Sequence, residues 1–145
     1  MKIMGIDYGD SRVGVALSDT LGFSAHGYKT LPNKVYSKLL DSIVDISKEN
    51  DVSEIVIGMP KNLNGTLGIR AEITQKFAED LKMLLPDIVF SFQDERLTTV
   101  EASVFLNETN TRGKNRKNII DTVSAEIILQ TYLDCKSNKL NGGLI

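Results

Sequence analysis

Three acidic positions in this sequence stand where a charge is costly unless something compensates it. Asp7 closes the first apolar tract, Asp94 and Glu95 come just after the apolar run 88–92 and Gln93, and Asp121 lies within an apolar helical pattern. A carboxylate beside hydrophobic side chains costs free energy unless a cation or a hydrogen-bond donor pairs with it. Carboxylates from separate segments that meet at one point would bind a hard divalent cation. The pattern therefore indicates a single metal site.

Each acidic position also has a purely structural interpretation. Asp7 and the glycine two residues later suit a turn between two strands. Asp94 and Glu95 suit the approach to a helix, where the helix dipole favours negative charge. Asp121 suits the first turn of the last helix for the same reason. These alternatives stay open for each motif taken alone, because short motifs often match by chance.

Basic residues cluster just before Asp121. The tract 110–118 contains no acid, and its polar, glycine-containing composition predicts a mobile loop. A phosphodiester enzyme needs cations that hold the nucleic-acid backbone while metals act at the scissile bond. A plain solvated loop is the alternative. The predicted nucleic-acid-binding residues, including three outside this tract, are Arg12, Lys61, Arg96, Arg112, Lys114, Arg116 and Lys117.

Two of these basic residues lie in connections between elements. Lys61 belongs to the segment 58–66, where Asn64-Gly65 is a strong turn signal. Backbone amides and Lys61 could contact phosphate at the start of the following helix, although composition alone favours a plain connection between strand and helix. Arg96 follows the acidic pair and could neutralise an acid or hold a phosphate.

The elements that must position these residues follow a clear order. Strands are predicted at residues 2–7, 12–18, 26–30, 54–58 and 88–92, and helices at 36–49, 68–85, 98–106 and 117–133. Three strands joined by tight turns should form an antiparallel meander, and the two later strands, each after a helix, should add in parallel. The predicted fold is α/β, a mixed five-stranded sheet flanked by helices. Residues 1–136 form one predicted domain, and 137–145 a flexible tail.

Composition sets broad limits on function. The chain has 145 residues, with 17 basic and 19 acidic side chains and a net charge of -2, which neither indicates nor excludes nucleic acid. Cys135 is the only cysteine, so no intramolecular disulfide can form. No signal-peptide pattern precedes the first strand, and the apolar runs are too short to span a bilayer. We expect a cytoplasmic protein without a membrane partner, either a monomer or a homodimer.

Several motifs together resemble the YqgF/RuvX family, a branch of the RNase H-like, RuvC-related nucleases. They are Asp7-Tyr8-Gly9, Arg12-Val13-Gly14-Val15-Ala16, Gly58-Met59-Pro60, Asn64-Gly65-Thr66, Asp94-Glu95-Arg96-Leu97-Thr98-Thr99 and the stretch from Lys117 through Asp121 to Ala125. The resemblance covers nearly the whole chain in the family's order. Members are named Holliday junction resolvases and are also described as nucleases that mature the 5′ end of small-subunit ribosomal RNA.

The resemblance implies an RNase H-like fold and a catalytic set of Asp7, Glu95 and Asp121. These residues, with Asp94 as a further candidate, would hold Mg²⁺ or Mn²⁺. The implied activity is cleavage of precursor ribosomal RNA in ribosome biogenesis. The alternatives are a resolvase of branched DNA, a non-catalytic nucleic-acid-binding domain and a phosphate binder of the actin and sugar-kinase type. RuvC-type resolvases carry an acid after the fourth strand, whereas the segment 58–60 has none.

Overall fold

The computed structural model describes residues 1–60, 68–94 and 114–142, and within the last range it describes side chains for 121–136. A five-stranded sheet forms the centre of the molecule, with helices on both faces. The elements are β1 (Lys2–Tyr8), β2 (Arg12–Ser18), β3 (Ala25–Pro32), α1 (Tyr36–Glu49), β4 (Val52–Met59), α2 (Ile69–Leu84), β5 (Val89–Asp94) and α3 (Lys114–Gly142). None of the helices in the described ranges combines the length and the apolar surface needed to cross a bilayer.

The strand order across the sheet is β3-β2-β1-β4-β5. β1 pairs antiparallel with β2, and β2 pairs antiparallel with β3. β4 joins β1 in parallel, and β5 joins β4 in parallel. The predicted antiparallel meander with two added parallel strands is therefore confirmed, and the carboxyl ends of β1, β4 and β5 lie at one edge of the sheet.

Strand alternation separates two apolar layers. The face toward α1 and α2 carries large side chains such as Ile6, Val15 and Ile57. The face toward α3 is thinner, with Ala16 and Val56 packed beneath that helix. β4 contributes to both layers, which explains why its sequence is a continuous apolar run rather than an alternating one.

Two glycines allow α3 to lie directly on the sheet. A Cβ atom at Gly5 would stand 2.7 Å from the Cβ of Leu129, and one at Gly14 would stand 2.0 Å from the carbonyl oxygen of Asp121. Any larger residue would push the helix outward, because buried atoms are already close-packed. These contacts fix the height of α3 above β1 and β2.

Two helices have features that helical spacing alone does not predict. In α2, Ile69 and Ile73 share a helical stripe with Phe77 but are 76% and 43% exposed, because the buried face is centred on Thr74, Phe77 and Leu81. The helix α3 begins at Lys114 and not at the predicted start, residue 117, so Lys114 and Arg116 lie in a helix instead of the predicted loop, and Lys117 lies in its predicted helix. No proline interrupts this stretch, and Lys and Arg have good helix propensity.

The last helix also passes the predicted domain boundary. α3 runs to Gly142, so its end does not coincide with residue 136. The flexibility predicted for 137–145 stays a prediction. The helix predicted at 98–106 and the part of the basic tract before residue 114 lie outside the described residues.

Candidate functional site

Asp7 and Asp121 lie on the same face of the sheet. Asp7 pairs directly with Gly14 across the β1–β2 ladder, and residues opposite each other in such a pair present their side chains on one face, with Cα atoms about 4.5–5.5 Å apart. The Cβ direction of Gly14 points at the backbone of Asp121. The sheet register and the packing of α3 on Gly14 therefore place Asp7 and Asp121 on the same side of the sheet, near the carboxyl end of β1.

Asp121 has a cationic partner on the sheet. The Nε atom of Arg12 donates to Oδ2 of Asp121 at 2.6 Å, and the side chains are 39% and 16% exposed. Further along the same helical stripe, Ala125 and Ile128 are buried. An acid at the edge of an apolar stripe is thus stabilised by a guanidinium, which offsets the cost of its partial burial.

The position of Asp121 within α3 excludes one structural alternative. The helix extends back to Lys114, nearly two turns before Asp121, and its first turn contains no acid. The stabilisation offered by a helix N-terminus decays within the first turn. The interpretation of Asp121 as a first-turn acid is therefore wrong.

The hairpin between β1 and β2 fixes Asp7 relative to Arg12. Asp7 lies inside β1, so the turn follows it rather than contains it. A Cβ atom at Gly9 would stand 2.5 Å from the carbonyl oxygen of Arg12. The Asn33 side chain donates to the Gly9 carbonyl oxygen at 2.8 Å, and the Asn33 backbone N–H donates to the Ser11 carbonyl oxygen at 2.9 Å. The turn is therefore tight, and Asn33, directly after β3, holds it through these two hydrogen bonds.

Asp94 belongs to the opposite face of the sheet. It is the last residue of β5 and pairs with Met59, which shares its strand face with Ile57 in the layer under α1 and α2. Strand alternation places Gln93, and not Asp94, on the face of Asp7. Asp94 takes part in an interaction of its own.

Several predicted site residues cannot be placed against this geometry. Lys61, Glu95, Arg96 and Arg112 lie outside the described residues. For Lys114, Arg116 and Lys117 only the backbone is described, at the start of α3. Within the part of the chain that has described side chains, no set of three or more acidic, histidine or cysteine residues forms a metal site. Asp7 and Asp121 thus lie near the same position, Gly14, and the convergence of their carboxylates with Glu95 on a metal stays a prediction.

Sequence reasoning missed the Arg12–Asp121 pair and a second polar contact beneath α3. Glu54 is only 9% exposed and accepts a hydrogen bond from the Tyr132 hydroxyl. Its other carboxylate oxygen forms an ion pair with the Lys136 ammonium at 3.4 Å. A signal for each was present. Arg12 alternates with Val13 along β2, so its side chain faces the same side of the sheet as Gly14 and Ala16. Glu54 is an acidic residue directly before the apolar run of β4.

Comparison with known proteins gives a consistent family. The family model of RuvX, described as Holliday junction resolvase, matches residues 1–135. A protein of Halothermothrix orenii named "Putative pre-16S rRNA nuclease" is 47% identical over 142 residues, covering 98% of this chain and 100% of that one. A protein of Endomicrobium trichonymphae with the same name is 45% identical, covering 95% of this chain and 99% of that one.

Solved structures with little sequence identity share the fold. RuvC of T. thermophilus in complex with Holliday junction substrate aligns with a TM-score of 0.59 at 10% identity, covering 95% of this chain and 96% of that one. Fowlpox virus resolvase with Holliday junction DNA aligns with a TM-score of 0.60 at 10% identity, covering 93% and 98%. The chain therefore has the RNase H-like fold of these resolvases.

Proposed function

We propose that this chain, which belongs to the RuvX family, is a nuclease that uses a divalent cation to cleave precursor ribosomal RNA. The observation that carries the proposal is the placement of Asp7 and Asp121 on one sheet face beside the carboxyl end of β1. Open α/β sheets bind their ligands at the carboxyl ends of the strands. Two carboxylates from different elements at that edge offer the hard oxygen ligands that Mg²⁺ and Mn²⁺ prefer.

The acidic residues would share the work of holding the cation. Asp7 from β1 and Asp121 from α3 would each supply carboxylate oxygens, and Glu95 is the third proposed ligand. A bound divalent cation supplies activation of water and stabilisation of the leaving oxygen. The rigid parts of the fold fix the carboxylates beforehand, because Asp7 is held in the sheet and Asp121 is held on it by close contact with Gly14.

Strand register argues against Asp94 as the third ligand. Asp94 shares the face of Met59, away from Asp7 and Asp121. Side chains that follow one another along a strand point to opposite faces. Glu95 is therefore the proposed third ligand, and Asp94 is the alternative.

The proposed substrate follows from the relatives and from the basic residues. Relatives that match this chain nearly end to end carry the name of a pre-16S rRNA nuclease, and we propose the same processing of the 5′ end here, in the cytoplasm. The chain as a whole is acidic, with a net charge of -2, so phosphate contacts require a local basic surface. The proposed contacts are Arg12, Lys61, Arg96, Arg112, Lys114, Arg116 and Lys117.

Cleavage of a four-way DNA junction is the second candidate function. The description of the matching family favours it. Against it, β4 ends without an acid in Gly58, Met59 and Pro60, the position at which RuvC-type resolvases carry one. The only acid within β4 is Glu54, at the other end of the strand and bound by Tyr132.

A cleavage assay separates these functions. Wild type, Asp7→Asn and Asp10→Asn are incubated with a precursor 16S rRNA fragment and with a four-way DNA junction, each with Mg²⁺, Mn²⁺ or EDTA. Asp10 is the matched control, because it is an exposed neighbouring acid whose partner is Arg70. We expect metal-dependent RNA cleavage by wild type and Asp10→Asn, and a loss of about a hundredfold or more for Asp7→Asn, since a metal ligand is removed.

Each other outcome has a defined meaning. Wild-type rates for Asp7→Asn, or full activity in EDTA, would refute the proposed site. Faster cleavage of the junction than of the RNA would favour the second candidate. Binding of RNA without cleavage in either metal would make the chain a nucleic-acid-binding domain.

A further inference from the structure

Arg12 contacts a proposed metal ligand directly. Its Nε atom donates to Oδ2 of Asp121 at 2.6 Å, the length of a strong charge-assisted hydrogen bond. Both residues lie beside Asp7 on the face under α3. Arg12 therefore already occupies the electrostatic role that a bound cation would have toward Asp121.

A guanidinium and a divalent cation compete for the same carboxylate. Each is attracted to Asp121, and they repel each other at short range. Arg12 is the weaker competitor, since its Nε atom bonds one oxygen of Asp121 and its side chain is 39% exposed. A long side chain with that exposure can leave its partner without moving the sheet or the helix.

We propose that Arg12 is the internal counter-ion of the site, held on Asp121 while no cation is bound and released to a substrate phosphate when a cation takes that carboxylate. This inference rests on the proposed nuclease function. The planar guanidinium suits both partners, because it matches carboxylate and phosphate oxygens alike. The same residue thereby couples metal loading to substrate binding.

Direct measurement of Mn²⁺ binding tests the proposal without relying on activity. Isothermal titration calorimetry compares wild type, Asp7→Asn, Arg12→Gln, Arg12→Lys and Arg70→Gln. The Arg70–Asp10 pair is a matched control, since it is an Arg–Asp contact of 2.8 Å that lies at the surface, with side chains 57% and 70% exposed. Circular dichroism and thermal unfolding of each metal-free variant establish that it is folded.

The expected pattern is specific to a counter-ion. Arg12→Gln removes the competing charge and keeps a hydrogen-bond donor, so it should bind Mn²⁺ about tenfold more tightly than wild type at low salt, with a smaller difference at high salt. Arg12→Lys keeps the charge and should stay within about twofold of wild type. Arg70→Gln should not differ from wild type. RNA binding in the presence of the cation should weaken for Arg12→Gln.

Other outcomes overturn the inference in distinguishable ways. Unchanged Mn²⁺ affinity for folded Arg12→Gln, in a wild type that binds Mn²⁺ and cleaves RNA, refutes the counter-ion role alone. Weaker affinity means that Arg12 orients Asp121 for the cation rather than competing with it. A wild type that binds no Mn²⁺, or binds it equally after Asp7→Asn, refutes the proposed metal site and this inference with it.

Discussion

One face of the central sheet carries most of the large apolar core, and the other face carries the candidate site. Among the largest fully buried side chains of the described residues, all but Ile128 and Leu129 belong to the layer under α1 and α2. On the α3 face, the corresponding strand positions are Gly5, Asp7 and Gly14. A sheet face built from small residues lets a helix approach closely, and a polar side chain of that helix can then reach the strand ends.

The polar contacts of the two faces differ in the same direction. Under α3, Arg12–Asp121 and Tyr132–Glu54 join helix to sheet at partly buried positions. On the other side, the Tyr36 hydroxyl donates to Asp80 at 2.6 Å at the exposed rim between α1 and α2. Polar groups beneath a helix fix its position, whereas rim contacts are screened by water and contribute less.

The largest expected effect separates the faces by activity and stability. Asp121→Asn should lower cleavage by about a hundredfold or more, because a cation ligand is lost, with a smaller loss of stability than Ile57→Ala, because the Asn side chain can still accept a hydrogen bond from Arg12. Ile57→Ala, on the opposite face and fully buried, should cost about 2–5 kcal/mol of stability. Its folded fraction should still cleave. Urea unfolding and cleavage rates are measured for both variants. Loss of cleavage in folded Ile57→Ala would contradict the assignment of the two faces to stability and to chemistry.

The next effect concerns the thinness of the α3 face. Gly14→Ala would place a Cβ 2.0 Å from the Asp121 carbonyl oxygen, so α3 must shift. We expect a loss of about 1–3 kcal/mol in stability, as for overpacked cores, together with slower cleavage. Gly27→Ala is the matched control against the same helix, since its Cβ would stand 3.2 Å from the Cβ of Thr122. Equal effects of the two substitutions in thermal unfolding would contradict the argument.

A smaller effect is expected at the far end of the α3 face. Tyr132→Phe removes the donor to the nearly buried Glu54 and leaves Lys136 as its described partner. The stability loss should be about 1–3 kcal/mol, the cost of an unsatisfied buried acceptor. Cleavage should not change, because Glu54 lies at the start of β4 and away from Asp7. Tyr28→Phe on the exposed part of β3 should alter neither quantity.

The smallest effect belongs to the rim of the other face. The Tyr36 hydroxyl, followed by the Lys76 ammonium, holds the pKa of the Asp80 carboxyl below its ordinary value of 3.8. A folded pKa that is lowered contributes stability above the unfolded pKa, and the contribution disappears as the pH falls through the folded value. Asp80→Asn should therefore be slightly less stable than wild type near neutral pH and indistinguishable in acid. A pH-independent difference in urea unfolding would contradict this.

Much of the fold could be predicted because local patterns decide it. Alternation in β2, the apolar run of β4 and the amphipathic pattern of α1 gave the right elements, and connection lengths gave the mixed topology. Helical spacing does not predict burial in α2, because Ile69 and Ile73 share a stripe with the buried Phe77 but are exposed. Periodicity identifies a stripe, but the position of the sheet decides which side of it is covered.

By itself, the sequence determined which acidic residues are candidates for binding a cation. Asp7 at a strand end and Asp121 on an apolar stripe are readable from residue type and spacing. Only the tertiary structure decided that Asp94 faces away from Asp7 and that Arg12 rests on Asp121. The reason is physical: strand register sets the face of each side chain, and the contact of α3 with Gly14 sets which distant residues meet. Both depend on packing between elements far apart in the chain.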